Sequence, residues 1–530
     1  MKIEVNIQNN KLNLNWQDKG ADYYRVYVRV NGEYCECATV YDTFTTVSML
    51  PVGDNECYVA AIKDGVVISE SPKIYFLAPN PDGVCIKNGD KVNLLCSFQK
   101  GAEGYRLYKD FDDSGFNGIQ NYVRNGFTVD FEHGARYKVK PYEFVDGQRK
   151  MMSSTEILSA GDNGFEFVSC YKSYGEKLFL SWIYKGYADG YWVYPEGSEY
   201  PVFETNDGRC HFAYLNNYKD GVKFRVCAFL NTPNGKVKVS ESEMISRMER
   251  YFEKPVISII IPAYNAQDYI ARCIDSALAS NFNDLEIIVV NDGSSDSSQQ
   301  IIDWYVQNYP NVVSFQKENG GVADTRNYGI ERARGEYIAF LDNDDMVRPN
   351  MLSTLYSSIT KNGCDVAIAP LYRLVDKGYT THCNLPFEED KAINIDEYFR
   401  ILYTPGYYNC AIWNKLYKAD MVKAHPLGIL KYEDVSWTPC ILSYAKTFCF
   451  IKTPFYEWDR KTRPETFGDV LARMPENDLL EHRRQAMMFF VENGNPEKYD
   501  TLKTIAKRRL MRYSKNADHN GYEKLIEQLN

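Results

Sequence analysis

The amino-acid sequence predicts a multidomain chain. All-β sandwich repeats fill its N-terminal half, an α/β domain with a mostly parallel, Rossmann-like sheet follows, and a helical C-terminal extension closes it. Three observations predict this. Over residues 1–250, apolar and polar positions alternate with period two in short runs split by glycine turns, as in antiparallel sheets with one buried face. From Val256 onward, nearly unbroken apolar runs alternate with amphipathic stretches, the pattern of parallel strands covered by helices on both sides. After Arg460 the apolar spacing turns helical. The 530 residues suffice for several domains. The expected divisions are 1–78, 79–160 and 161–250 for three sandwich repeats, 255–460 for the α/β domain and 461–530 for the extension.

The repeats are visible as recurring phrases. "KLNLNW" (Lys11–Trp16), "KVNLLC" (Lys91–Cys96) and "KLFLSW" (Lys177–Trp182) share the same alternation, and each precedes a tetrapeptide of one type: "YRVY" from Tyr24, "YRLY" from Tyr105, "YWVY" from Tyr191. A later strand follows in each ("CYVAAI", "YKVKPY", "FRVCAF"), then a glycine turn ("KDG", "VDGQ", "PNG") and a serine-bearing segment. On Trp16, Trp182, the Y-x-V-Y strand and the late strand, these units resemble fibronectin type III modules. Cys96 replaces the tryptophan in the second unit, and an immunoglobulin-like sandwich of another type reads almost the same. The strands carry no chemical constellation, so spacing, oligomerisation or binding of a chain-like ligand are their expected roles.

In the α/β half, "VISIII", "LEIIVV", "VVSFQ", "YIAFL" and "CDVAIAP" read as strands, with helices between them and "MISRMERYFEK" as the linker before. Ligands of such sheets bind beyond the carboxyl ends of the strands. Three polar clusters fall there: "PAYN" (Pro262–Asn265), "NDGSSD" (Asn291–Asp296) and "DNDD" (Asp342–Asp345). Alone, the second reads as a turn with Ser294 or Asp296 capping a helix, and the third as a turn before a helix near Pro349. Together they describe a rim. Carboxylates packed this closely repel, so a positive partner is expected among them. Hard oxygen donors suit Mg²⁺ or Mn²⁺, and a diphosphate would complete the coordination. No G-x-G-x-x-G follows the first strand and no Walker A sequence is present, which argues against dinucleotide oxidoreductases and P-loop proteins.

Composition narrows the classes further. The formal net charge of −10 argues against wholesale binding to nucleic acid or anionic lipid, while leaving room for a local basic patch. The 14 cysteines are scattered without zinc spacing. "MKIEVNIQNN" has no apolar segment of a secretory leader, and no run approaches the length that spans a bilayer. The expectation is a cytoplasmic protein with reduced thiols, stationed in solution or at the inner face of the membrane.

On "SIIIPAYNAQDYIARCIDSALAS", "EIIVVNDGSSDSS", "ENGGVADTRNYGIERARGEYIAFLDNDD", "NKLYKADMV" and "YEDVSW", the region from Lys254 to Arg460 resembles the family 2 glycosyltransferases, which have the GT-A fold. The resemblance implies that Pro262, Tyr264 and Asn265 line a base pocket, that Asp292 binds base or ribose, and that Asp342-Asn343-Asp344 is the D-x-D motif. Asp342 would lie toward ribose and metal, and Asp344 would hold the metal. Asp345 would be a further ligand or a helix cap. Arg326 and Asn327 fall in the family's A-R-N segment, with Thr325 in place of the alanine. An acceptor hydroxyl must lose its proton to a base; the resemblance implies Asp434 for this, with Glu433 second. Trp413 is either packed or stacked on a sugar, and Lys415 is expected in an ion pair rather than on phosphate.

The implied activity is transfer, with inversion, of a sugar from a nucleoside-diphosphate sugar, UDP-sugars foremost, to a glycan or lipid-linked glycan in bacterial surface polysaccharide synthesis. A sugar nucleotidyltransferase and a non-catalytic glycan-binding scaffold are the competing readings. The basic stretch "AKRRLMRY" (Ala506–Tyr513) is either a membrane-surface contact or the solvated face of a packed helix. A homo-oligomer is left open.

Overall fold

The structure, a computed structural model, describes residues 1–401 apart from short connecting segments, residues 411–459 apart from 429–432, 452 and 454, and parts of 485–506. The chain divides into two units: Met1–Cys170 with Leu178–Arg247, and Tyr171–Lys177 with Met248–Asn530.

The first unit is made of strands gathered into three pairs of sheets. Residues 3–78 form sheets of three and five strands, residues 83–159 again three and five, and residues 165–241 three and four. The recurring phrases explain the cores. Leu12, Leu14 and Trp16 point inward in the first pair, Val92, Leu94 and Cys96 in the second, and Leu178, Leu180 and Trp182 in the third. Against them lie Tyr24 and Val26, Tyr105 and Leu107, and Tyr191 and Val193. Trp16 meets Tyr24 at 5.4 Å between ring centroids and Trp182 meets Tyr191 at 5.3 Å. Cys96 takes the tryptophan's place in the middle pair. The "KDG" and "VDG" turns hold Asp64 and Gly65, and Asp146 and Gly147, all at positive φ, as tight hairpins of this twist require.

In the second unit the strands are β1 (Ile257–Ala263), β2 (Leu285–Asp292), β3 (Val312–Lys317), β4 (Tyr337–Phe340), β5 (Met346–Val347), β6 (Val366–Ile368), β7 (Leu371–Val375), β8 (Gly378–His382), β9 (Lys391–Asn394), β10 (Lys415–Lys418), β11 (Thr447–Phe450) and β12 (Tyr456–Asp459). Eight of them form one sheet in the order β3-β2-β1-β4-β10-β6-β11-β9, and β5-β12-β7-β8 form a second. β1 and β2 are buried along their whole length, which is why they read as continuous apolar runs. Their neighbours β3 and β4 are parallel to them, but β10 enters antiparallel between β4 and β6, and β9 lies antiparallel on β11. The sheet is therefore mixed beyond β4, and "CDVAIAP" does not adjoin "YIAFL" as a simple alternation would have it.

Helices α1 (Ile270–Leu278), α2 (Ser298–Asn308), α3 (Val322–Arg332) and α4 (Met351–Asn362) follow the first strands, and α5 (Ile395–Ile401), α6 (Ala419–Ala424) and α7 (Glu433–Leu442) come later in the chain. α1 buries Ile270, Cys273, Ile274, Ala277 and Leu278 on one stripe, the spacing its sequence shows. α3 lies close on the sheet because residue 329 is glycine: a Cβ there would stand 2.6 Å from Ile260 Cγ2. α4 ends on Gly363 in the left-handed region.

The expectation of reduced thiols is corrected at one place. Cys364 and Cys449 are disulfide-bonded, because the parallel pairing of β6 with β11 brings their Cα atoms to 6.2 Å. Most of the extension falls outside the described residues, including 460–484 and 507–530 and so nearly all of "AKRRLMRY"; the described pieces 491–493 and 500–504 are helical. Residues 249–253 of the linker segment also fall outside. Among the described residues no helix is long and apolar enough to cross a membrane.

Candidate active site

The carboxyl ends of β1, β2 and β4 deliver three side-chain groups to one cavity of about 640 Å³. Pro262, Ala263 and Tyr264 arrive from β1, Asp292 from β2, and Asp342 to Asp345 from the turn after β4; Arg326 of α3, Trp413, and Glu433 and Asp434 at the start of α7 (Glu433–Leu442) complete the wall. Tyr264 is 48% exposed. Asn265 stands beside it at φ +47, with its amide donating to Ser294 Oγ and its Oδ1 accepting from the Ser295 amide. It thus ties the first rim segment to the second rather than lining the cavity.

Asp292 is buried and its oxygens are already engaged. Oδ1 accepts from Lys317 Nζ at 2.6 Å and from the Gly320 amide at 2.9 Å, and Oδ2 from the Gly321 amide at 2.9 Å. Register explains the ion pair: Asp292 and Lys317 are direct neighbours at the ends of β2 and β3. Burial pushes the carboxyl up, but Lys317 and the glycine amide outweigh it and hold it below the usual carboxylate range. Lys317 also bonds Asp324. Asp292 therefore fixes the loop before α3 as well as facing the cavity, and Lys317 is a site residue that sequence reasoning missed.

The acidic turn separates its charges by giving each a different partner. Asp342 Oδ1 receives Arg326 Nη2 at 2.6 Å, and Arg326 Nη1 bonds Glu433. The guanidinium is buried, which by itself favours losing its charge, yet Asp342 and Glu433 raise its proton affinity above the ordinary arginine value. Asp345 is buried and accepts from Tyr456 Oη at 2.7 Å; it does not cap α4, whose N-cap is Asn350. The Asp344 carbonyl accepts from Arg272 Nη2. Asn343 Nδ2 donates to the Pro262 carbonyl, while its Oδ1 is buried with no hydrogen-bond partner. The positive partner expected among these carboxylates is thus Arg326, brought to Asp342 by α3.

Among the described residues no three acidic, histidine or cysteine side chains converge as a ready-made metal shell. The donor set at the cavity nevertheless fits a hard divalent cation: Asp342 and Asp344 supply carboxylate oxygens, and the orphaned Asn343 Oδ1 between them is a third oxygen lacking a partner.

Trp413 stacks on Tyr456 at 4.0 Å and 20° while lining the cavity, so packing and a cavity-facing position coexist. Lys415 is buried, and its ammonium bonds the Ala411 carbonyl and Asn414 Oδ1. The N-cap of α2 is Ser297 rather than Ser294 or Asp296; Asp296 Oδ1, one residue outside it, accepts from the Ser298 amide at 2.9 Å, and Ser294 turns back to Asn291. Asn327 exchanges two hydrogen bonds with the backbone of Leu427.

Acidic and basic side chains thus gather at the carboxyl rim of a sheet covered by helices, the place where α/β proteins of this type bind ligands. Residues 258–422 match the model of glycosyl transferase family 2. A putative glycosyltransferase, EpsH of Bacillus subtilis (strain 168), is 29% identical over 291 residues, 50% of this chain and 82% of that protein. An uncharacterised glycosyltransferase, YibD of Escherichia coli (strain K12), is 31% identical over 208 residues, 38% of this chain and 60% of that one. The alignment with YibD thus leaves more than a third of that relative unmatched. Among solved structures, Staphylococcus aureus TarS residues 1–349 in complex with UDP-GlcNAc is similar with a TM-score of 0.41 at 22% identity, covering 51% of this chain and 75% of that one.

Proposed function

We propose that the protein is an inverting, metal-dependent glycosyltransferase that moves a sugar from a nucleoside-diphosphate sugar to a hydroxyl of a glycan or glycoconjugate. One observation carries the reading: in a chain whose residues 258–422 match family 2, Asp292, the Asp342–Asp344 turn and the Glu433–Asp434 pair border a single cavity large enough for a nucleotide sugar. Tyr264 offers an exposed ring to the base. Asp292, held in place by Lys317, faces the base or ribose. Asp342, Asn343 and Asp344 would hold Mg²⁺ or Mn²⁺, which when bound offsets the charge of the departing diphosphate. Arg326 keeps Asp342 and Glu433 at a fixed distance from each other. Glu433 is bonded to that guanidinium, and Asp434, half-buried on the cavity wall, is the carboxylate we assign to take the acceptor proton. Attack, proton transfer and departure then occur in one displacement, and no covalent intermediate is needed.

The N-terminal sheets we read as three fibronectin type III-like repeats divided at 78, 160 and 250, supported by the matching cores described above. The acceptor would be a surface polysaccharide or its lipid-linked precursor.

The test incubates the full chain with a panel of sugar nucleotides, UDP-sugars first, and Mn²⁺, and measures nucleoside diphosphate release. Asp344→Ala is expected to lower metal-dependent turnover by about 10²–10³. Asp434→Asn is expected to retain donor binding by calorimetry while losing about 10²–10⁴ in transfer. Pyrophosphate exchange from sugar phosphate and a nucleoside triphosphate would instead identify a nucleotidyltransferase, and no release from any donor would favour a binding scaffold.

A further inference from the structure

The acidic turn after β4 is gripped by its backbone from several sides. Just before it, the Leu341 amide donates to the Ile260 carbonyl of β1 at 3.0 Å. From α1, Cys273 Sγ donates to the Asp342 carbonyl at 3.4 Å and Arg272 Nη2 to the Asp344 carbonyl at 2.8 Å. The Asp342 amide turns to a side chain instead. It donates to Tyr456 Oη at 3.2 Å, and the same hydroxyl donates to Asp345 Oδ2 at 2.7 Å. One phenol oxygen thus joins the first and last residues of the turn, accepting from one and donating to the other.

Register puts Tyr456 there. β5 and β12 pair antiparallel with Val347 opposite Tyr456, and the Arg348 amide donates to the Phe455 carbonyl. The ring therefore starts two residues beyond Asp345 and reaches back to the turn. It is fully buried and lies against Trp413, which lines the cavity. Packing alone does not call for the hydroxyl. A phenylalanine would fill the same space, and a buried hydroxyl is costly unless it is bonded. Both of the bonds described above land on the acidic turn, so what the oxygen adds to the ring is control of that turn. Tyr456 also lies beyond the residues that match family 2.

On the reading that this turn holds a divalent cation, we propose that Tyr456 is a positioning residue for it. The hydroxyl fixes the backbone of the turn, so that the Asp342 and Asp344 carboxylates and Asn343 Oδ1 keep their places relative to one another. Groups that orient metal ligands from outside contribute about 10–100-fold to metal affinity.

Mn²⁺ binding to the full chain in the presence of UDP, followed by electron paramagnetic resonance of the free ion, tests this without requiring turnover. Tyr456→Phe keeps the ring and is expected to weaken Mn²⁺ binding about 10–100-fold. Nucleoside diphosphate release by this variant should be low at limiting Mn²⁺ and return as the ion is raised. A residue that only filled the core would lower the melting temperature and leave Mn²⁺ affinity as it was. Asp345→Asn keeps an oxygen for the Tyr456 hydroxyl, whereas Asp345→Ala does not; the first is expected to bind Mn²⁺ about tenfold more tightly than the second. That comparison gives the reading should Tyr456→Phe fail to fold. Unchanged Mn²⁺ affinity in folded Tyr456→Phe, or equal affinity in the two Asp345 variants, would overturn the proposal and leave the metal-dependent reading standing. No Mn²⁺ bound by the unmodified protein with UDP would overturn both.

Discussion

At the scale of single residues, the centre of the site is Arg326. It is buried between Asp342 and Glu433, and so it joins the turn after β4 to the start of α7. Removing one partner of a buried charge cluster leaves the others uncompensated, at a cost of about 3–5 kcal/mol. Arg326→Ala is therefore expected to lower the melting temperature as well as activity. Arg326→Lys keeps the charge but not the two-pronged geometry; it should retain most of the stability and still lose about a hundredfold in turnover through misplacement, read by thermal melting beside nucleoside diphosphate release. Asp342 was legible as a candidate from its place at a strand end, and Arg326 and Glu433 from the resemblance of their segments to the family 2 glycosyltransferases. Their mutual bonding was not, since no local pattern records which carboxylate an arginine will reach across about a hundred residues. Lys317 and Tyr456 show the same limit: a lone lysine at a strand end and a lone tyrosine in an aromatic-rich chain carry no signal until β2 meets β3 and β12 meets the acidic turn.

Among elements, period two decided the N-terminal half. It placed Leu12, Leu14 and Trp16 and their counterparts on inward faces because a strand alternates its sides without exception. It said nothing of irregularities. In the first two sheet pairs the register slips within the repeated tetrapeptide, between Val26 and Tyr27 and between Leu107 and Tyr108, and backbone pairing of this kind leaves no mark in side-chain type. Nor did alternation foresee Asp189, buried beside the strand from Gly190 and accepting from Tyr187, Ser48 and the Asn231 amide. Burial pushes its carboxyl up to about 6, against a model-compound value of 3.8. The folded state then holds this proton more tightly than the unfolded chain between roughly pH 4 and pH 6, so stability falls as pH rises through that window. The loss is roughly 3 kcal/mol at most. Asp189→Asn is expected to flatten that part of the melting-temperature profile.

For the whole molecule, the α/β unit and the N-terminal sheets have separate cores. Binding of UDP with Mn²⁺ is expected to slow hydrogen exchange at the amides of Asn291–Asp296 and Asp342–Asp345 and to leave the strands of residues 3–78 unchanged. The alternation of strands and helices announced the sheet as far as β4. Beyond it the antiparallel insertion of β10 escaped notice, because order within a sheet depends on crossovers that side-chain periodicity does not encode. One glycine joins these scales. Gly329 sits one turn along α3 from Arg326, with no room for a methyl group against Ile260. An alanine there would act as a shim beneath a lever, tilting the helix off its seat and drawing the guanidinium away from both acids. A mutation far from any ligand would thereby disable the enzyme mechanically, leaving every group that touches substrate chemically intact.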